Sequence, residues 1–588
     1  MSSSASNINR LWADLIVEEL VRNGVRHFFL APGSRSSPLV VAIAQHSMTE
    51  ATIHFDERGA AFAALGCGRG SGSPAAWITT SGTAAANGLP AVVEAAQSHV
   101  PLIAITADRP PELRDTGANQ AIDQIRLFGT YPRWFFDFPC PSVEIDSSFV
   151  LTTVDQAVHR ATGSPAGPIH LNCPYREPLA PSKVAGKLPE IPDRWVRTRS
   201  PYTAYRIGAG DPDAAAISQL LDQVRAVRRG IIIVGELPTL EDARAVTTLA
   251  SEFGWPVVAD VTSQMRLGDA PPHVVRRPHF VCAANAGAAE PELVLRLGGP
   301  VSSKEIRSHA DSVDARIVAV VDHPERRDPG HRVSTVIRAS TQAFCRALAG
   351  APASPDRDWL DAWTEVDERI DSALRDQIGS LTEISEPGVA AAVTRLLPED
   401  NALFVASSMP IRDVDMFGSS SGALRRVAAN RGASGIDGTA ATSFGYHLGA
   451  GCPVTLLIGD LALLHDLNSL ALVQGRPIVV VAINNGGGGI FNFLPIADHA
   501  EVFEPWFTSP HIWSFEHAAA MFGIHYDRPG SPSDFERSYT AAIQNGRAAL
   551  IEVVTERRSN RLLHADLRAH ALEAAYYISA QPKASQKE

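Results

Sequence analysis

Residues 454–485 read VTLLIGDLALLHDLNSLALVQGRPIVVVAINN. Two short apolar runs, 454–459 and 477–483, are separated by a length suited to one helix. Apolar runs this short, with polar residues only at their ends, fit strands of a parallel sheet covered on both faces. Strand, helix and strand then make one βαβ unit, whose two strands present their carboxyl ends side by side. Asp460 closes the first strand and Asn485 the second, and four glycines, 486–489, follow before Ile490 and Phe491.

The same rhythm runs along the whole chain. Apolar runs recur at 25–30, 75–79 and 102–106, then at 230–235, 256–260, 293–299 and 315–322, then at 402–408, 454–460, 477–485 and 548–554. Helical lengths separate them. Two stretches without periodicity read as linkers: APSKVAGKLPEIPDRWVRTRSP (180–201) and AGAPASPDRD (349–358). The expected fold is α/β, with three doubly wound parallel-sheet domains over 1–185, 200–350 and 356–588. Ligands of such sheets sit beyond the carboxyl ends of the strands.

Bulk properties narrow the function. The chain has 588 residues, enough for two to four domains, and a net charge of −12. That charge argues against a general nucleic-acid or anionic-membrane surface. Any acidic substrate has to be met by a local cluster of Arg and Lys. The six cysteines are scattered, with no Cys-x-x-Cys pair, which speaks against a disulfide framework or zinc site and suits a reducing cytosol. The first residues, MSSSASNINR, lack the apolar core of a signal peptide, and no apolar run approaches the roughly 18–20 residues of a membrane span. The expectation is a soluble, cytoplasmic protein with no integral membrane segment.

An Asp carboxylate, an Asn amide oxygen and a nearby backbone carbonyl are hard oxygen donors suited to Mg²⁺. A glycine-rich loop opening a helix offers backbone N–H groups to a phosphate on that ion. Taken singly, Asp460 is a helix cap and the glycines are a turn. Taken together at this spacing they favour a metal–diphosphate site. The four glycines also lose much entropy on ordering, so the loop is expected to become fixed when the site is filled. A second glycine cluster, GCGRGSG (66–72), follows a helical run and opens no helix, so it reads as a helix-ending turn rather than a dinucleotide loop.

Gly459-Asp460 through Asn484-Asn485 resembles the cofactor motif of thiamine-diphosphate-dependent enzymes, with Leu461 where that motif usually has a third residue Gly. The resemblance implies that Asp460, Asn485 and the carbonyl of Gly487 hold Mg²⁺ (or Mn²⁺) on the diphosphate. A thiamine enzyme also needs a carboxylic acid to protonate the aminopyrimidine. TIHFDERGAAFAALG (52–66) supplies Glu57 where an apolar strand passes into a small-residue helix. On its own Glu57 is a first-turn glutamate favoured by the helix dipole; beside the metal motif it matches the family's catalytic glutamate. In that family the glutamate meets the third block of a neighbouring subunit, which implies a homodimer or homotetramer with active sites at the subunit interface.

Four loops at strand ends carry arginine: APGSRSSP (31–38), TADRPPELRDTGANQAI (106–122), SSMPIRD (407–413) and NRGASGIDG (430–438). Arginine forks bind carboxylates at two points, and four such loops suggest polyanionic substrates. With FEHAAAMF (515–522), these loops resemble the 2-succinyl-5-enolpyruvyl-6-hydroxy-3-cyclohexene-1-carboxylate synthase family of menaquinone (or phylloquinone) biosynthesis. That resemblance implies decarboxylation of 2-oxoglutarate on thiamine diphosphate, loss of CO₂, and 1,4-addition of the succinyl-semialdehyde carbanion to isochorismate. It implies substrate contacts from Ser34, Arg35, Arg109, Asn119, Gln120, Lys304, Ser408, Arg412 and Arg431. It implies cofactor contacts from Glu57, Gly435, Ile436, Gly459, Asp460, Leu461, Asn485, Gly487, Ile490, Phe491 and Leu494, with Ile436 under the thiazolium. Three further positions depart from relatives: Glu305 follows Lys304 where some have Arg, and Gly486 and Gly489 stand where Asn and Gln are common. The alternatives are an acetohydroxyacid-synthase-type decarboxylase or carboligase, a binding-only thiamine-diphosphate sensor, and a nicotinamide or flavin oxidoreductase. The last lacks its glycine fingerprint, and the arginine loops and Glu57 weigh against the other two.

Overall fold

Seventeen strands assemble into three sheets in a computed structural model that describes residues 6–183, 187–206, 210–285, 290–351, 353–422 and 424–576. The first sheet contains β1 (His27–Leu30), β2 (Glu50–Ile53), β3 (Ala75–Thr79), β4 (Leu102–Asp108), β5 (Trp134–Asp137) and β6 (Pro168–Pro174), in the order β2-β1-β3-β4-β6-β5. All of its pairings are parallel. The second contains β7 (Gly230–Val234), β8 (Val257–Ala259), β9 (Leu293–Leu297), β10 (Arg316–Val321) and β11 (Thr335–Arg338), ordered β11-β10-β9-β7-β8 and again parallel. The third contains β12 (Ala402–Val405), β13 (Arg426–Ala428), β14 (Val454–Gly459), β15 (Ile478–Asn484), β16 (His525–Asp527) and β17 (Ala549–Val554), ordered β13-β12-β14-β15-β17-β16.

The fully apolar strands are where the hydrophobic runs place them. The strand expected before Glu57 is present as β2, but it is largely exposed rather than a buried apolar run. β6 carries His170 and Asn172 inside the sheet, so it does not read as an apolar run. Those polar side chains are tied together: Thr106 Oγ1 lies 2.8 Å from His170 Nε2 and donates to Asn172 Oδ1 at 2.8 Å, while His170 Nδ1 is buried without a partner. Burial holds the His170 imidazole well below its ordinary pKa, at about 3, and therefore neutral.

The chain divides into two compact units. The first holds residues up to 208 together with 430–454 and 462–474; the second holds 209–429, 455–461 and 475 onward. In the first unit the helix Thr439–Ala450 lies against the helix Glu57–Ser71. A Cβ on Gly66 would come 2.0 Å from the Thr442 carbonyl oxygen, and one on Gly445 would come 1.9 Å from the Ala63 carbonyl oxygen. Gly70 and Gly449 are similarly pressed against the facing backbone. Most of GCGRGSG is therefore helix rather than a turn, with only Gly72 (φ +66) serving as its cap. A mid-helix glycine costs roughly 0.5–1 kcal/mol against Ala; here the missing side chains let two backbones touch.

The expected first linker is also more than a tether. Residues 184–186 within it lie outside the described residues, but Trp195 is buried in the first sheet's core beneath the helix Ile8–Arg22. Trp195 Nε1 donates to Glu19, the Arg22 guanidinium stacks 3.8 Å above the Trp195 ring, and the Thr203 N–H donates to Asp155 at 2.7 Å. Pro and charge content hid this anchor. Among the described residues no helix is long and apolar enough to cross a membrane.

Candidate active site

In the third sheet, β13 and β14 lie on opposite sides of β12, so the crossover direction reverses between β12 and β14. A crevice at the carboxyl ends of the strands is expected there. Ser408 and Asp460 follow those two strand ends. Ser408 starts the helix Met409–Phe417 with φ +76, a backbone region a serine rarely adopts. Strain of this kind persists only where surrounding structure fixes it, and it clusters at functional sites. Arg412 Nη1 donates to the Ser408 carbonyl one turn earlier, at 2.5 Å, and leaves Arg412 exposed at the same edge.

Asp460 is 3 % exposed and is the organising group of this crevice. Its Oδ2 accepts the N–H of Gly487 (2.9 Å) and of Asn485 (3.1 Å), and its Oδ1 accepts the Leu461 N–H (2.6 Å). Burial pushes the carboxyl above the usual carboxylate range, against the opposing pull of these donors. The His511 ring, stacked on Trp513 at 5.0 Å, brings Nε2 to 3.3 Å from Asp460 Oδ2. Asn485 donates from Nδ2 to Glu386 Oε1 at 3.0 Å, while its Oδ1 is buried without a hydrogen-bond partner. A carboxylate, an orphaned amide oxygen and the Gly487 backbone beside them are hard oxygen ligands, and they fit a divalent cation of the Mg²⁺ type.

The glycine run is shaped by its neighbours. Gly486 (φ +73) and Gly487 (φ +141) hold conformations that favour glycine, and a Cβ on Gly487 would come 2.3 Å from the Thr508 carbonyl oxygen. A Cβ on Gly489 would come 2.5 Å from Asn485 Nδ2. The departure at Gly489 thus makes room for the Asn485 side chain. The loop is tied by Gly488 N–H to Thr508 O (2.6 Å) and by His511 N–H to Gly486 O (3.2 Å). Ile490 and Phe491 follow in a 3-10 turn, Phe491 against Phe507, and Leu494 is exposed.

The middle-block position also lies in the second unit. Lys304 is exposed at the start of the helix Lys304–Ser312. Glu305 turns toward His279 (3.1 Å) and Arg568 (3.6 Å), so the acidic departure next to Lys304 is absorbed in an ion-pair cluster.

The first unit gathers the other predicted positions. Gly33 is tight against Thr80, which sets the Ser34–Arg35 loop beside the end of β3. Ser34 is exposed, while Arg35 is 6 % exposed. Arg35 Nη1 donates to the Tyr175 carbonyl (2.8 Å) and Nη2 lies 3.5 Å from Glu177, whereas Nε is buried without a partner. Burial and the positive charge of Arg109 both lower the Arg35 pKa. Two arginines that repel each other, with an unpaired N–H, suit an anionic ligand. Arg109 braces the next loop, donating from Nε (2.9 Å) and Nη2 (2.7 Å) to the Asn119 carbonyl, which leaves Asn119 and Gln120 exposed at its tip. Glu57 is half-buried as the first residue of its helix. The neighbours of Glu57 are tied down: Arg58 donates to His465 O at 2.8 Å and Asn468 donates to Asp56 at 2.6 Å. Ile436 is 37 % exposed in the loop that also carries Arg431 and Gly435.

Four supporting side chains escaped the sequence reading: Glu94, Gln124, Glu386 and His511. Gln124 accepts from the Gly82 N–H (2.9 Å) and donates to Asn172 (2.9 Å), tying the Asn119–Gln120 loop to the sheet. Glu386, pushed up to about 7 by burial and by Asp413, sits at a helix start, where a glutamate reads as an ordinary dipole partner. Spacing in sequence does not reveal which of these charges is buried.

The chain matches the family model for the thiamine pyrophosphate enzyme N-terminal TPP binding domain over residues 11–127, and that for the middle domain of thiamine pyrophosphate enzymes over 190–405. A curated relative from Rubrobacter xylanophilus, 2-succinyl-5-enolpyruvyl-6-hydroxy-3-cyclohexene-1-carboxylate synthase, is 50% identical over 579 residues, covering 96% of this chain and 99% of the relative. A relative of the same name from Salinibacter ruber is 48% identical, covering 96% and 97%. A solved structure of a thiamin diphosphate-dependent enzyme from Mycobacterium smegmatis shares the fold, with TM-score 0.73 and 18% identity over 93% of this chain and 99% of that one. With three parallel α/β sheets and identity of this extent to full-length relatives, the chain belongs to the 2-succinyl-5-enolpyruvyl-6-hydroxy-3-cyclohexene-1-carboxylate synthase family of thiamine-diphosphate enzymes.

Proposed function

We propose that this transferase decarboxylates 2-oxoglutarate and joins the remaining four-carbon unit to isochorismate by 1,4-addition, releasing CO₂, in menaquinone or phylloquinone biosynthesis. The observation that carries the reading is the buried, unpartnered Oδ1 of Asn485 beside the Asp460 carboxylate. Thiamine diphosphate, when bound, supplies the means to stabilise negative charge at a former carbonyl carbon. Asp460, Asn485 and the Gly487 carbonyl hold Mg²⁺ or Mn²⁺ against its diphosphate. Glu57 holds a proton at the aminopyrimidine ring, Ile436 supports the thiazolium, and Gly435, Gly459, Leu461, Ile490, Phe491 and Leu494 shape the cofactor's surroundings. Arg35, Arg109, Arg412, Arg431 and Lys304 meet substrate carboxylates, and Ser34, Asn119, Gln120 and Ser408 position their oxygens.

The first, middle and third blocks, 1–185, 200–350 and 356–588, take the pyrimidine-binding, central and diphosphate-binding roles. We place the enzyme in the cytoplasm as a homodimer or homotetramer whose active sites lie at subunit interfaces. Support for a partner comes from Ile53 and Phe55, which are 67% and 62% exposed just before Glu57. The relatives carry the synthase name, which leaves the acetohydroxyacid-synthase alternative without support. Incubation with thiamine diphosphate, Mg²⁺, 2-oxoglutarate and isochorismate is expected to release CO₂ and consume isochorismate. Turnover of pyruvate with no isochorismate-dependent product overturns the proposal.

A further inference from the structure

Glu386 opens the helix Glu386–Leu396 with its side chain buried. Its Oε1 accepts from Asn485 Nδ2 (3.0 Å) and from Thr555 Oγ1 (3.1 Å). An Asn amide has one donor end and one acceptor end, while Oε1, which already accepts from Thr555, presents only an acceptor to it. By taking the NH₂ end, Glu386 directs the Oδ1 end away from itself, into the position where it is buried and unpartnered. Turning the amide over would set two oxygens against each other and strand the NH₂ group, at roughly 1–3 kcal/mol for the unmet donor. Gly489 lets the side chain sit this way, because a Cβ there would crowd Asn485 Nδ2.

The geometry points to Glu386 as a positioning residue that fixes the Asn485 amide so that Oδ1 faces a divalent cation. This rests on the metal reading of Asp460, Asn485 and Gly487. Groups that orient a metal's ligands typically change affinity about 10- to 100-fold. The role differs from that of a helix-start glutamate, since the contact is to another segment 99 residues away.

The test measures Mg²⁺ binding calorimetrically to the full chain at saturating thiamine diphosphate, with melting temperature followed in parallel. Glu386→Met keeps the volume and removes the acceptor; its Mg²⁺ Kd is expected to rise about 10- to 100-fold. Glu386→Gln keeps an acceptor oxygen and is expected to bind close to wild type. A helix-capping role alone would alter the melting temperature and leave the Kd unmoved. A second pair of variants works even where Glu386→Met does not fold. Asn485→Asp, despite its added charge, is expected to bind Mg²⁺ less well than wild type, because two carboxylates then face each other. Adding Glu386→Gln should restore binding by supplying a donor. Equal Kd for wild type and Glu386→Met, or an Asn485→Asp effect independent of residue 386, overturns the role of Glu386 alone. A wild-type chain that binds no Mg²⁺ with thiamine diphosphate overturns the metal reading itself.

Discussion

Glu94 Oε1 accepts the Gly432 N–H at 2.9 Å across 338 residues of sequence, and Oε2 accepts the neighbouring Ala433 N–H at 2.7 Å. The carboxylate thus grips the backbone immediately after Arg431. Ser98 also donates to it at 2.7 Å, and Arg69 lies 3.3 Å away. Glu94→Gln replaces one acceptor with a donor facing an N–H, at about 1–3 kcal/mol for a buried donor left unmet. If Arg431 binds a substrate carboxylate, KM for that substrate rises about tenfold, the equivalent of 1.4 kcal/mol, with thiamine diphosphate affinity unchanged. Steady-state kinetics beside a cofactor titration separate the two effects.

Glu57 and Asp460 are expected to fail in different ways. Glu57→Gln retains cofactor binding and loses turnover by about 100- to 10,000-fold, the range for a positioned acid or base. Asp460→Ala weakens metal and cofactor together. In wild type, thiamine diphosphate with Mg²⁺ at 100 times Kd should stabilise the fold by about 2.7 kcal/mol, read as a raised melting temperature. Asp460→Ala should lose most of that rise, while Glu57→Gln should keep it.

The first unit carries a pH dependence unrelated to catalysis. Burial and the adjacent Asp155 carboxyl push Glu19 up to about 8, despite its bonds from Trp195 and the Tyr202 N–H. Its ordinary value is 4.5, so folding favours the protonated form. The resulting stabilisation is fully present below about pH 4.5, declines as pH rises, and is lost through about pH 8. Melting temperature should therefore fall between pH 6 and roughly 9. Glu19→Gln cannot titrate and should flatten that slope whatever its absolute stability. An unchanged slope would remove Glu19 as its source.

Much of the architecture was legible because central parallel strands are apolar on both faces; 454–459 and 478–483 declare themselves by composition. Strand β6 did not, because His170 and Asn172 pair inside the sheet and break the pattern. The meeting of Asp460 and Asn485 was legible because they follow the ends of neighbouring strands of one βαβ unit. Glu386 and Glu94 were not, since a long-range hydrogen bond leaves no mark on local spacing. Trp195 was missed for a related reason: a stretch rich in Pro and charge can still hold one anchoring ring.

The helix pair in the first unit gives a direct test of why its facing surfaces carry glycine. A Cβ at Gly445 would stand 1.9 Å from the Ala63 carbonyl oxygen and 2.8 Å from the Cys67 nitrogen, so it has only backbone to displace. Inserting volume into a packed interior typically costs about 1–3 kcal/mol. Gly445→Ala should therefore lower the melting temperature even though alanine is the better helix former. Gly379, at the end of the helix Arg357–Gly379, has nothing within 4 Å of its would-be Cβ. Gly379→Ala should be neutral or stabilise by about 0.4–1 kcal/mol through the unfolded chain. Opposite signs for one chemical change would assign the glycines of this helix pair to backbone contact; equal effects would leave them as ordinary helix residues.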